Sequence, residues 1–255
     1  MHDILAGLPL WALIAAAAIS AGAGLVKGAT GFAMPLIMVS TFGAIMPPET
    51  ALAALILPVL VTNVAQALRQ GWRAAWGSIR TYRRLIGAIL VFIPVSAQFV
   101  RDIPQPVLLM LLGVPVTAFA AVQLAGRSLA LTLRHRNAAE YALGAVGGLY
   151  GGVSGIWGPP VLVFLLSVHA GKQETVRVQG VVFFLGAVML TAAHLGSGVL
   201  NATTLPLSAL LVLPAAAGMW LGYRIQDRLD PVRFRRWTLV LLLLTGGNLI
   251  RRALT

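Results

Sequence analysis

Lys27 is the residue whose type and position most directly suggest chemistry, because it is a charged side chain inside a long apolar stretch. A charge at that depth of a membrane segment is costly and usually serves a function. The ammonium could pair with an anionic substrate, or the side chain could extend to the polar edge of the segment. We favour the first interpretation and predict that Lys27 supplies the cationic part of a substrate site.

Other polar residues lie within or at the edges of apolar segments and could complete that site. Arg177, followed closely by Gln179, could clamp a carboxylate or sulfonate with two parallel hydrogen bonds, or could be an ordinary arginine at the cytoplasmic edge. Asn63 is a candidate to line the substrate path. His194 could relay a proton, since imidazole titrates near neutral pH, although a hydrogen bond between helices is the simpler explanation.

Two stretches rich in Gly and Pro, at 27–35 and 151–160, interrupt the apolar pattern. Gly costs about 1 kcal/mol and Pro about 3 kcal/mol inside a helix, so a smooth helix is not expected there. A helix that begins after such a break would point its N–H groups and positive dipole end into the protein, toward an anion. The predicted substrate-binding positions are Gly28, Thr30, Gly31, Ser154, Gly155, Gly158 and Pro159.

Within these stretches Thr30 or Ser154 fits a helix cap, and Pro159 fits the first turn of a helix, where no N–H is needed. Close packing of helices through small residues is the alternative interpretation of the glycines. Both can hold in one protein, with some glycines packing and others lining a cavity.

The two stretches are copies of one pattern at a constant separation of 124 residues, as between Gly28 and Gly152. AGAGLVKGATGFAMPLI, from Ala21, aligns with AVGGLYGGVSGIWGPPV, from Ala145. Each half of the chain then contains five apolar segments. Because five is odd, the second half must be inverted in the membrane relative to the first. Inverted repeats with interrupted helices are typical of secondary transporters.

Composition places these segments in a bilayer. The chain is 58% hydrophobic and 10% charged, whereas a soluble domain carries roughly 25% charged residues. The apolar segments are 8–26, 29–45, 49–68, 85–100, 105–125, 138–152, 156–170, 175–196, 204–222 and 235–250. We predict an all-α polytopic membrane protein with two inverted repeats of about five segments each, at 1–126 and 138–255, joined by a cytoplasmic linker at 127–137. The total is eight to ten segments, depending on whether those at the breaks span the membrane or re-enter.

The basic residues indicate the orientation. The net charge is +12, and the arginines cluster in alternate loops, at 69–84, 127–136, 172–177 and 224–236. The positive-inside rule predicts that these loops face the cytoplasm of a bacterial-type plasma (inner) membrane, with both termini outside. Arg251 and Arg252 argue weakly against this orientation. The same distribution makes nucleic-acid binding a poor explanation of the charge.

The motifs GLVKGATGFAMPL and GGVSGIWGPPVLVFLL resemble the paired motifs of the sulfite exporter TauE/SafE family, also called the TSUP transporters. The resemblance covers nearly the whole chain, and Ala33 stands where the first motif would carry another Gly. It implies secondary transport of a small anion, either a sulfur-containing one such as sulfite or a sulfonate, or a carboxylate. The residues alone do not point to sulfur.

The expected function is therefore anion transport by alternating access, coupled to H⁺ or Na⁺, with the anion and the lipid bilayer as partners. An anion channel and a transporter of small carboxylates stay open as alternatives. The seven acidic residues lie near segment ends or in loops, which argues against an intramembrane enzyme. Neither a metal nor a cofactor is expected, since the chain has no cysteine and its histidines lack metal-binding spacing.

Overall fold

The computed structural model describes residues 5–97, 103–127, 130–131, 133–154, 157–196, 198–226 and 231–254. These residues form helices and, apart from one isolated bridge between Leu5 and Leu8, no β-structure. The helices are α1 (Leu10–Thr30), α2 (Met34–Phe42), α3 (Pro48–Leu68), α4 (Trp72–Thr81), α5 (Arg83–Ala97), α6 (Gln105–Leu124), α7 (Arg136–Ser154), α8 (Gly158–Ser167), α9 (Lys172–Gly196), α10 (Leu205–Gln226) and α11 (Pro231–Leu254). The prediction of an all-α fold is confirmed.

Several of these helices suit a bilayer. Within the described residues, α1, α3, α9 and α10 are each long and apolar enough to cross a membrane, by length and composition. Large apolar side chains stay exposed on them, for example Leu213 and Trp220 on α10. Exposed apolar surface of this kind is expected where lipid is the solvent. The prediction of a multi-pass membrane protein is confirmed.

The helices of the second half repeat those of the first at the same 124-residue separation. The helix after the break begins at Met34 in one half and at Gly158 in the other, and the next begins at Pro48 and Lys172. With the same shift α5 and α6 overlap α10 and α11, whereas α4 has no counterpart among the described residues. The repeat that two short motifs indicated therefore extends to the helix boundaries.

The sequence analysis treated residues 69–84 as an arginine-rich loop, and this was wrong, because part of the stretch forms helix α4. Its small residues Ala75 and Ser78 are buried on one side, while Trp72, Trp76 and Arg80 are exposed on the other. Exposed tryptophans beside arginines are typical of the cytoplasmic membrane–water interface. The sequence analysis did not predict this helix, because the arginines on its exposed face gave the segment the composition of a loop.

The chain divides into two compact units. The first comprises Met1–Asn63 and Thr191–Phe234, and the second comprises Val64–Leu190 and Arg235–Thr255. In the first unit α1 packs along α10, and in the second α5 packs along α7. The 124-residue shift relates α1 to α7 and α5 to α10. The two pairings are therefore equivalent, and each joins the first helix of one repeat to the fourth apolar segment of the other.

Glycines allow the close approach within each pair. A Cβ on Gly24 or Gly28 would overlap the backbone of α10, at Met219 in the case of Gly28. Their repeat equivalents, Gly148 and Gly152, stand against α5 in the same way. This is the small-xxx-small contact of membrane helices. Gly28, which the sequence analysis placed in the substrate site, thus has a packing role in the structure.

Candidate functional site

The first break lies between Thr30, the last residue of α1, and Met34, the first of α2. Gly31 and Ala33 both have left-handed backbones, with φ of 87° and 76°. The Gly31 N–H donates to the carbonyl of Lys27 at 2.6 Å and closes the end of α1. Glycine adopts this conformation freely, whereas Ala33 does so at a cost of about 1–2 kcal/mol.

Thr30 satisfies backbone groups at the end of its own helix. Its hydroxyl donates to a carbonyl one turn back at 2.8 Å, and the Phe32 N–H donates to that hydroxyl at 3.4 Å. The prediction that Thr30 or Ser154 caps the following helix was wrong, because each is the last residue of the preceding one. The residues at the N-caps of α2 and α8 are Ala33 and Trp157, and neither makes a side-chain cap hydrogen bond.

The side chain of Lys27 ends against α3, within the first unit. Lys27 is 1% exposed, and its ammonium nitrogen donates to Thr62 Oγ1 at 3.0 Å and to Asn63 Oδ1. Thr62 and Asn63 are also fully buried. Lys27 forms no ion pair with a carboxylate within the part of the chain that the structure describes. The structure thus brings together Lys27 and Asn63, both predicted site residues, and adds Thr62.

A proline shapes α3 next to this cluster. Pro58 has no N–H, so the carbonyl of Ala54 loses its helical partner. The Ser208 hydroxyl of α10 donates to that carbonyl at 3.4 Å and accepts the Leu57 N–H at 3.1 Å. The Thr62 hydroxyl in turn donates to the Pro58 carbonyl at 2.6 Å. Because its hydrogen is used there, Thr62 can only accept from the lysine.

The second break lies between α7, which ends at Ser154, and α8, which begins at Gly158. Gly155 is outside the described residues, as is the side chain of Ser154. Gly158 and Pro159 are the first two residues of α8, and Pro159 lies in the first turn as predicted. Trp157, which precedes them, is 2% exposed, and its indole N–H has no acceptor among the described residues.

The indole of Trp157 fills a space that two glycines leave open. A Cβ on Gly151 of α7 or on Gly186 of α9 would overlap this ring. The repeat shift places Gly151 at the position of Lys27, and Gly186 at that of Thr62. The first unit therefore has a lysine amine and a hydroxyl where the second has an aromatic ring with its N–H.

Arg177 holds the start of α9 to the segment around α4, within the second unit. Its Nε donates to Ser78 Oγ at 2.8 Å, and its Nη1 donates to Gln70 Oε1. Nearby, the Tyr82 hydroxyl donates to Glu174 Oε1 at 2.7 Å. Burial, together with the Glu174 carboxylate, raises the pKa of the Tyr82 phenol, so Tyr82 stays protonated as a donor. These contacts explain the position of Arg177 near the start of α9 without any contact to a substrate.

The two remaining predicted residues both lie on α9 but belong to different units. Gln179, in the second unit, is 1% exposed, and its side-chain N–H₂ group has no acceptor among the described residues. His194, in the first unit, lies in the last turn of α9, and its carbonyl accepts the Leu200 N–H at 3.1 Å.

Repeated interrupted helices in a helical membrane protein are typical of transporters. The model of the family described as Sulfite exporter TauE/SafE matches residues 16–249, and this chain belongs to that family. It is similar to the probable sulfite/organosulfonate exporter TauE of Cupriavidus necator, with 26% identity over 234 residues, or 89% of each chain. No solved structure matches the chain. The resemblance drawn from the two motifs is confirmed, and the family is one of transporters rather than enzymes.

Proposed function

We propose that this protein is a secondary transporter that moves small sulfur oxyanions, such as sulfite or organosulfonates, across the membrane. The family and the relative's name support the class of substrate. The observation in this chain that carries the proposal is Lys27, a buried lysine whose described partners, Thr62 and Asn63, are neutral. An ammonium has three N–H donors, so one remains for a sulfonate or sulfite oxygen.

The start of α2 supports the same site. Met34, the first residue of α2, has its sulfur 3.5 Å from Thr62 Oγ1, so this helix end lies beside the partners of Lys27. Its N-cap residue, Ala33, makes no side-chain cap bond, which leaves first-turn N–H groups available. Backbone N–H groups and the positive dipole end favour an anion at such a terminus. An oxyanion bound there would meet the ammonium and the helix terminus together.

Transport further requires that the site open to each side of the membrane in turn. We assign the hinge of this movement to the Gly- and Pro-rich stretches at 27–35 and 151–160. Gly31, with its left-handed backbone, is the described residue best suited to a change of backbone angle. The other predicted positions, namely Thr30, Ser154, Gly155, Gly158, Pro159, Arg177 and Gln179, and the relay at His194, remain predictions.

Counterflow in proteoliposomes tests the proposal. Vesicles that contain the protein and an excess of unlabelled ethanesulfonate should transiently accumulate labelled ethanesulfonate from outside, and protein-free vesicles should not. Competition by unlabelled sulfite and by acetate then ranks the substrates. Rapid equilibration without accumulation would identify a channel. Counterflow of labelled acetate, with none of labelled ethanesulfonate, would identify a carboxylate transporter.

A further inference from the structure

The side chains around Lys27 do not compensate for the free-energy cost of burying its positive charge when no anion is bound. It is 1% exposed, and its described partners are a hydroxyl and an amide oxygen. A buried ion without a counterion is strongly unfavourable, because neutral hydrogen bonds replace only part of its hydration. Within the described residues no carboxylate pairs with it.

The other titratable groups that the structure describes in the first unit do not supply that counterion. Helix α2 carries no charged residue, and the single acid of α3, Glu49, is exposed and lies fourteen residues before Asn63, about 20 Å along the helix. On α10, Tyr223 is a half-buried phenol, and Arg224 is exposed with its guanidinium over Trp220. His194, in the last turn of α9, can add only positive charge.

The hydrogen bonds of Lys27 match a neutral amine. An uncharged amine has two N–H groups, and the side chain donates to two acceptors, Thr62 and Asn63. The Thr62 hydrogen is already given to the carbonyl of Pro58, so Thr62 leaves the amine lone pair free. That lone pair is where a third proton would bind, and the new N–H bond would serve an anion.

We infer that Lys27 takes up one proton from water when the anion binds, so that the site is neutral both empty and loaded. The amine lone pair forms an N–H bond to a proton that solvent delivers, and the resulting ammonium donates this third N–H to the anion. The inference rests on the proposed function and adds the proton as the ion coupled to binding. By linkage, the affinity for the anion falls tenfold for each unit of pH, as pH rises, over the range in which the empty site is neutral.

Isothermal titration calorimetry on the purified protein measures this proton directly. Ethanesulfonate is the probe, because it does not titrate near neutral pH and so contributes no proton of its own. The titration is run at one pH in Tris and in bis-Tris, which differ in ionisation enthalpy and carry no sulfonate group. The difference in binding heat between the two buffers gives the number of protons taken up. We expect about one proton per anion in the wild type.

Lys27→Arg is the matched variant, because a guanidinium is protonated at every accessible pH. Where it binds the probe, it should take up no proton, and its affinity should not change with pH. Wild-type binding with equal heats in the two buffers would overturn the inference and leave the proposed function standing. Absence of wild-type binding to ethanesulfonate and to sulfite would overturn both. The wild-type comparison decides the question even if the arginine variant does not fold.

Discussion

The indole of Trp157 lies directly against Gly151, the residue that the repeat aligns with Lys27. The two halves of the chain thus share a pattern of helices, but the side chains at equivalent positions differ in chemistry. One half has a buried lysine beside its break, and the other has a buried aromatic ring.

The packing of Trp157 predicts which glycines tolerate a methyl group. Gly186→Ala should lower stability by about 1–3 kcal/mol, because the new Cβ would press on the indole. Gly196→Ala is the matched control, since this glycine lies in the same helix and a Cβ there would meet nothing within 4 Å. Thermal unfolding in detergent compares the two variants. Equal melting temperatures would show that the ring does not fill this space.

The left-handed backbone at Ala33 predicts a stabilising substitution. Ala33→Gly removes strain of about 1–2 kcal/mol, and the greater freedom of glycine in the unfolded chain offsets about 0.4–1 kcal/mol of that gain. The melting temperature should therefore rise modestly. Ala29→Gly, inside α1, should lower it, because that residue is helical and buried. A drop for both variants would contradict the conformation of the break.

The hydrogen bonds of Arg177 predict a structural effect. Arg177→Gln should lower the melting temperature, because it loses the bonds to Ser78 and Gln70. Ser78→Ala should cost less when Arg177 is already replaced, as a shared interaction requires. The KM for the anion in the proteoliposome assay should change less than twofold. An unchanged melting temperature with a tenfold higher KM would instead place Arg177 in the anion site.

The predicted orientation can be tested with single cysteines, because the native chain has none. Gly77→Cys on α4 and Ala202→Cys before α10 are both at exposed positions. An impermeant maleimide added to intact cells should label Ala202→Cys, and should label Gly77→Cys only after the membrane is permeabilised, since arginine-rich segments face the cytoplasm. The opposite pattern would place the arginine-rich loops outside.

The sequence was sufficient to predict the features that depend on local residue patterns. The breaks followed from Gly and Pro, and Lys27 and Asn63 stood out because polar groups are costly in lipid. The contact between them, which joins residues 36 positions apart, depends on how α1 and α3 pack and could not be predicted. Trp157 was missed because an aromatic residue in an apolar segment is unremarkable. The signal was in the repeat, which aligns a glycine with Lys27 and another with Thr62. Two glycines at these positions leave a space that a large side chain can fill.

The most direct test of the account compares the two lysines of the chain. Lys27→Met and Lys172→Met make the same chemical change, one at the buried site and one at the first residue of α9. Ethanesulfonate at 100 times its dissociation constant should stabilise the wild type and Lys172→Met by about 2.7 kcal/mol, seen as a higher melting temperature. It should leave Lys27→Met unchanged. Equal stabilisation of Lys27→Met and the wild type would show that the anion does not bind at Lys27.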